Sequence, residues 1–109
     1  MKLLIAGSRS ITDYDLSPHV PDGVDLIITG GAKGVDTLGE VYARRRGIPT
    51  VTVKPAYEKY GRAAPIRRDE EMVDMADAVL VVWDGESRGS KHTADYACKT
   101  GKQLILVTV

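Results

Sequence analysis

The chain has 109 residues, the size of one domain, and 43% of them are hydrophobic, as in ordinary globular proteins. Fifteen Lys and Arg residues balance fifteen Asp and Glu residues, so the net charge is zero, which excludes a uniformly basic surface that coats nucleic acid. The single cysteine, Cys98, excludes an intrachain disulfide and a cysteine-cluster zinc site. His19 and His92 lie too far apart in sequence to form a metal-spaced pair, so we expect no metal site. We also expect no cofactor.

The longest apolar runs, such as residues 3–6 and 78–83, are too short for a transmembrane helix. The first ten residues combine one lysine with a short apolar run and lack a small-residue cleavage site. They therefore predict a first β-strand rather than a signal peptide. We expect a cytoplasmic protein without a membrane partner.

Five short runs rich in branched apolar residues alternate with amphipathic stretches, a pattern typical of strands that alternate with helices. The predicted strands are residues 3–6, 26–29, 50–53, 79–82 and 104–107. The predicted helices are residues 35–46, 66–76 and 93–100, and the proline-bearing connection 12–20 holds at most a short helix. We expect Cys98 to be a small core residue on the last of these helices.

This alternation predicts a parallel sheet with helices on both faces, a Rossmann-like three-layer α/β sandwich formed by one domain over residues 1–109. The first, second and fourth runs are continuously apolar, which favours central strands. The third alternates threonine and valine, which favours an edge. The predicted strand order is 3-2-1-4-5, in which ligands bind beyond the carboxyl ends of the strands, near the switch point between strands one and four.

Three glycine-bearing loops follow strands one, two and four and therefore meet at that edge. Glycines let backbone amides approach an anion, helix starts add free amides, and Arg9, Lys33 and Arg88 add positive charge. The alternative is that short strand-to-helix turns need glycine and serine for the fold alone, and no loop has P-loop or GxGxxG spacing. The residues expected to bind a ligand are Gly7, Ser8, Arg9, Gly30, Gly31, Ala32, Lys33, Gly34, Asp36, Arg67, Arg68, Gly85, Ser87, Gly89 and Ser90.

Several side chains near these loops have two interpretations. Asp36, at the start of its helix, either caps the helix, holds the loop, or faces a ribose hydroxyl. Glu40, one turn further on, is either a solvated helical residue or part of the site. Trp83 either stacks on a base or covers the core. His92 is a weak general-base candidate, and a surface role is the alternative.

Together these loops resemble the SLOG superfamily, and within it the small stand-alone YspA-like proteins. The resemblance covers essentially the whole chain. Its elements are Gly7-Ser8-Arg9, residues 30–36, residues 65–68 with Met72, and residues 83–90. It implies a Rossmann-like fold, a nucleotide-derived ligand and a homodimer.

The resemblance extends to the Lonely-guy phosphoribohydrolases, whose catalytic glutamate follows the loop after strand four. That glutamate position falls on Thr93 in this chain. Their catalytic arginine matches Arg68 by its spacing to a following methionine, although the Arg-Asn motif of YspA-like proteins favours Arg67. The resemblance therefore implies that this chain keeps the ligand-binding loops of the enzymes but lacks their catalytic glutamate. The remaining catalytic candidates are Asp36, Glu86 and Arg68.

We expect the protein to bind a nucleotide-derived ligand, such as a nucleoside phosphate or an ADP-ribose-like molecule, as a sensor or carrier rather than as an enzyme. The first alternative is hydrolysis of the N-glycosidic bond of a nucleoside monophosphate. The second is a module that binds single-stranded nucleic acid, which is disfavoured because the sequence offers no basic groove with stacking aromatic residues. The expected partners are the small molecule and a second copy of the chain.

Overall fold

A five-stranded parallel sheet runs through the centre of the computed structural model, which describes all 109 residues. Its strands are β1 (Lys2–Gly7), β2 (Leu26–Thr29), β3 (Thr50–Thr52), β4 (Ala78–Trp83) and β5 (Gln103–Thr108). The order is β3-β2-β1-β4-β5, which confirms the predicted topology. The edge position of β3 is explained by its composition, because Thr50 and Thr52 are exposed and only Val51 between them is half-buried.

Four α-helices connect the strands: α1 (Val35–Arg46), the one-turn α2 (Tyr57–Tyr60), α3 (Ala64–Met75) and α4 (Arg88–Lys99). The connection from β1 to β2 contains only a 3₁₀ turn, Ser17–His19, as its proline predicts. No helix has the length and apolar character that crossing a membrane requires.

Two helix starts differ from prediction. The helix predicted from residue 66 begins at Ala64, with Pro65 in its first turn, where proline is well tolerated. The helix predicted from residue 93 begins at Arg88, because Ser87 caps it by accepting a hydrogen bond from the Ser90 amide at 3.3 Å.

The apolar core forms one layer on each face of the sheet. Alternate β1 residues separate the layers, because Leu3 and Ile5 contact the α1 side whereas Leu4 packs with α3 and α4. The buried face of α4 consists of Ser90, Thr93, Ala94 and Ala97. Cys98 lies one position beyond this face and is exposed, so its prediction as a core residue is wrong.

The switch point predicted for ligand binding lies beside β1. This strand pairs with β2 on one side and with β4 on the other, and all three run parallel. Their carboxyl ends therefore point to the same edge of the sheet, and the three glycine-bearing loops follow them there.

Candidate functional site

A cavity of about 450 Å³ opens at this edge, between the loops that follow β1, β2 and β4 and the first turns of α3 and α4. Polar side chains predominate in its wall, with two arginines and three aspartates. The lining residues are Ala6, Gly7, Arg9, Ser10, Ala32, Asp36, Pro65, Arg68, Asp69, Met72, Asp84, Ser87, Gly89, Ser90 and Thr93.

The loops after β1 and β2 touch each other through backbone atoms at Gly34. Gly34 has φ +78°, and a Cβ atom at this residue would lie only 2.4 Å from the carbonyl oxygen of Ser8. The neighbouring Val35 amide donates to that same oxygen at 3.3 Å. Only glycine permits this approach, so the requirement at this position comes from the fold and not from a ligand.

Asp36 holds the loop after β2 from inside. Its Oδ2 atom accepts hydrogen bonds from the amides of Gly30 (3.1 Å) and Ala32 (3.2 Å), and the residue is only 6% exposed. Burial outweighs these hydrogen bonds and raises the pKa of Asp36 to about 6. Of the three roles weighed for this residue, holding the loop is therefore realised, and the carboxylate still lines the cavity.

Arg68 is fixed among acceptors beneath the same loop. Its Nε atom donates to Asp69 Oδ1 at 2.8 Å, and its Nη1 atom donates to the carbonyl oxygens of Gly30 (2.9 Å) and Val53 (3.3 Å). Both side chains of the Arg68–Asp69 pair are largely buried, and desolvation raises the pKa of Asp69 even though Arg68 opposes the shift. We call Asp36, Arg68 and Asp69 the Arg68 cluster.

Asp84 organises the loop after β4. Its Oδ1 atom accepts hydrogen bonds from the amides of Glu86 and Ser87, both at 2.9 Å, and its Oδ2 atom accepts from the Ser10 hydroxyl at 2.8 Å. These donors hold the pKa of Asp84 well below its usual range. The Asp84 amide donates to Ser8 Oγ at 2.9 Å, so this residue ties the loops after β1 and β4 together.

Arg9 differs from the other charged groups of the cavity because it is exposed and forms no ion pair or side-chain hydrogen bond within the protein. Nearby, the amides of Arg88 and Gly89 at the start of α4 make no backbone hydrogen bond, as expected for a first helical turn. Gly89 lines the cavity and Arg88 precedes it, so the cavity combines the Arg9 cation with a free amide donor at the start of α4, a set of groups suited to an anion.

The structure brings eight of the predicted ligand-binding residues to the cavity wall. These are Gly7, Arg9, Ala32, Asp36, Arg68, Ser87, Gly89 and Ser90. The others lie outside the wall: Ser8, Gly30, Gly31, Lys33, Gly34, Arg67 and Gly85, and with them the catalytic candidate Glu86. Ser8 is fully buried and bonds to backbone, whereas Lys33 is exposed. Of the two arginines, Arg68 lines the cavity and Arg67 does not.

The remaining candidates have structural partners. Arg67 points away from the cavity, where it lies over the Tyr60 ring at 5.7 Å. Glu40 is not merely solvated, because it accepts a hydrogen bond from the buried Thr29 hydroxyl at 2.9 Å. Trp83 packs on the core and donates to the Ser87 carbonyl oxygen at 2.9 Å. His92 bonds to Glu70 at 3.0 Å, between α3 and α4.

Sequence reasoning missed Asp69, Asp84 and Ser10 as cavity residues. Asp84 carried a usable signal, since an aspartate before glycine at a strand end commonly accepts hydrogen bonds from amides two and three residues on. Asp69 carried none, because a charged residue beside two arginines in a helix is most simply a surface ion-pair partner. Only the packing of α3 against α4 turns it inward.

Comparison with known proteins identifies the family. Residues 1–60, more than half of the chain, match the family model described as "YAcAr: YspA, cpYpsA-related SLOG family". No curated protein and no solved structure matches the chain. The matched segment contains β1, β2, α1 and two of the three glycine-bearing loops of the cavity. The chain belongs to the YspA, cpYpsA-related SLOG family.

Proposed function

We propose that the cavity binds a nucleotide-derived ligand, either a nucleoside phosphate or an ADP-ribose-like molecule, with a phosphate against Arg9. The observation that carries this proposal is the contrast among the charges of the cavity wall. Arg68, Asp36 and Asp84 are all bonded to protein groups, whereas Arg9 and the first amides of α4 are not. A phosphate satisfies such a set of donors.

The family gives independent support, because membership in a SLOG family is consistent with nucleotide-related binding or processing. A small ligand is also favoured over a nucleic-acid strand. The cavity has a net excess of carboxylates, and its wall contains no aromatic side chain on which successive bases could stack.

A ligand panel tests the proposal. The purified protein is titrated by calorimetry and thermal shift with AMP, ADP-ribose, inorganic phosphate and a short single-stranded oligonucleotide. We expect AMP or ADP-ribose to bind with one site per chain and to raise the melting temperature, since a ligand at 100 times its dissociation constant adds about 2.7 kcal/mol. Binding of the oligonucleotide alone, with a steep salt dependence, would replace the proposal with nucleic-acid binding.

A second candidate function is hydrolysis of the N-glycosidic bond of a nucleoside monophosphate, and one observation favours it. The catalytic glutamate of the Lonely-guy enzymes matches Thr93, and the Asp69 carboxylate lies beside this threonine in the cavity. We still favour binding without turnover, because Asp69 is neutralised by Arg68 at 2.8 Å. Measurement of free adenine released from AMP separates the two functions, and we expect none above background.

We also propose that the protein is a homodimer. Tyr57 on α2 and Ile66 on α3 are 60% and 46% exposed, and both lie on the segment that leads from β3 to the cavity. A second copy would cover these apolar side chains in a two-fold interface of at least about 1,000 Å². Light scattering is expected to give twice the monomer mass, and a monomer at high protein concentration would contradict the proposal.

A further inference from the structure

No hydrogen bond within the protein uses Asp36 Oδ1 or Arg68 Nη2. Besides Arg68, the Asp69 carboxylate meets only the Thr93 hydroxyl, which donates to the Gly89 carbonyl oxygen at 3.0 Å. No fully buried side-chain nitrogen or oxygen lacks a partner, so Asp36 Oδ1, Asp69 Oδ2 and Arg68 Nη2 are not fully buried, and their three residues all line the cavity.

These atoms form a set of two acceptors and one donor, which suits hydroxyl groups. A hydroxyl can donate to a carboxylate while it accepts from a guanidinium N–H. A phosphate fits this place poorly, because two carboxylates repel it and the charge of Arg68 is already balanced by Asp69. An ammonium group is disfavoured by the arginine that lies among them.

Asp69 is the better placed of the two carboxylates for a ligand that also contacts α4. Its Oδ2 atom lies 4.0 Å from the position that a Cβ atom of Gly89 would take, at the first turn of α4. The Thr93 hydroxyl beside it donates to the Gly89 carbonyl oxygen at 3.0 Å. The hydroxyl contact and the free amides of α4 are therefore neighbours, as the hydroxyls and the phosphate of one sugar phosphate are.

We propose that Asp69, fixed by Arg68, accepts a hydrogen bond from a ribose hydroxyl, and that the site therefore selects ribonucleotide-class ligands over their 2′- or 3′-deoxy counterparts. This inference rests on the proposed function. It adds to that function the class of sugar in the ligand and the residue that binds the sugar. Arg68 acts as a positioning residue, because its Nε bond fixes the carboxylate and leaves the second oxygen of Asp69 for the ligand.

The test compares AMP with 2′-deoxy-AMP and 3′-deoxy-AMP by calorimetry on the wild-type protein, on Asp69→Asn and on Glu71→Gln. Glu71 is exposed on the same helix and lies outside the cavity wall, so its substitution removes the same charge as a matched control. We expect the wild type and Glu71→Gln to prefer AMP by at least about tenfold over one of the deoxy compounds, as the loss of a charge-assisted hydrogen bond implies. Asp69→Asn is expected to reduce this preference to less than about threefold.

The possible failures are distinguishable. If AMP and both deoxy compounds bind the wild type equally well, the proposed function stands and the inference about ribose is overturned. If the preference exists but persists in Asp69→Asn, the assignment to Asp69 is overturned. If none of the three compounds binds, the proposed function fails for nucleoside monophosphates, and the inference fails with it. The comparison on the wild type decides the sugar class even if Asp69→Asn does not fold.

Discussion

The loops after β2 and β4 are each held by one aspartate that accepts hydrogen bonds from two backbone amides, yet the pKa values of the two carboxylates shift in opposite directions. Asp36 is almost completely buried, and its pKa is raised to about 6. Asp84 is only partly covered, accepts a third hydrogen bond from Ser10, and has a lowered pKa. The same hydrogen-bonding pattern therefore gives opposite charge preferences, because the desolvation penalty dominates at one site and the donors dominate at the other.

The difference also indicates that the three loops of the cavity have different roles. The loop after β2 is fixed by the fold itself, through the backbone approach at Gly34 and the bonds of Arg68 to Gly30 and Val53. The loops after β1 and β4 are tied to each other by Asp84 and leave Arg9 without a partner. We infer that the loop after β2 supplies a rigid wall of the cavity and that the loops after β1 and β4 supply the positive charge for the ligand.

The largest expected effect on stability comes from substitution of a glycine in the loop after β2, compared with a glycine in the loop after β4. Gly34 and Gly85 both have positive φ, at +78° and +85°, but only Gly34 has backbone atoms in the place of a Cβ. We expect Gly34→Ala to lower the free energy of unfolding by more than about 3 kcal/mol, since strain and overlap add. Gly85→Ala is expected to cost about 1–2 kcal/mol, the strain alone. Chemical denaturation measures both, and equal losses would contradict a rigid wall that is specific to the loop after β2.

The pH dependence of Asp36 gives the next effect. Because its pKa in the folded protein exceeds the usual 3.8, the native state binds the proton more tightly, and this residue lowers stability as the pH rises from about 4 to 6. The shift corresponds to about 3 kcal/mol. In Asp36→Asn, an amide oxygen can still accept from the loop amides and no charge develops. We expect the variant to gain about 3 kcal/mol relative to the wild type between pH 4 and pH 7, whereas parallel denaturation curves would contradict the desolvation argument.

Asp84→Asn sharpens the comparison, because it has the opposite sign. A lowered pKa contributes stability that is present above the usual value of 3.8 and is lost as the pH falls through the lower folded value. We expect this variant to melt at a lower temperature than the wild type at pH 5–7, with the gap closing below pH 3.8. A gap that is independent of pH down to strongly acidic solution would assign the effect to lost geometry rather than to charge.

The sequence alone predicts the sheet well, and the reason is burial on both faces. The continuous apolar runs of β1 and β4 suit central strands that are buried on both faces, and the Thr-Val-Thr pattern of β3 suits an edge, although the apolar run of β5 also lies at an edge. Helix starts are predicted less well, since residues 88–92 carry no apolar periodicity and the beginning of α4 depends on the cap at Ser87.

The site is predicted only in part, for a different reason. The glycine-bearing loops place Arg9 and Asp36 at the edge where the cavity opens, because the carboxyl ends of parallel strands share that edge. The choice between Arg67 and Arg68 depends on the rotation of α3, which the sequence leaves open by one residue. The inward direction of Asp69 and the outward direction of Cys98 likewise follow from how α3 and α4 pack, which no local pattern records.

The most direct test of the central claim is the affinity of Arg9→Ala for the nucleotide that binds the wild type most tightly in the ligand panel. Arg62→Ala is the matched control, since Arg62 is also exposed but lies outside the cavity wall. We predict that calorimetry will give a loss of about 1.5–3 kcal/mol in binding free energy for Arg9→Ala, the value of a charge-assisted hydrogen bond, and no significant loss for Arg62→Ala. Unchanged affinity in Arg9→Ala, with the nucleotide still bound in this cavity, would contradict the claim that Arg9 holds its phosphate.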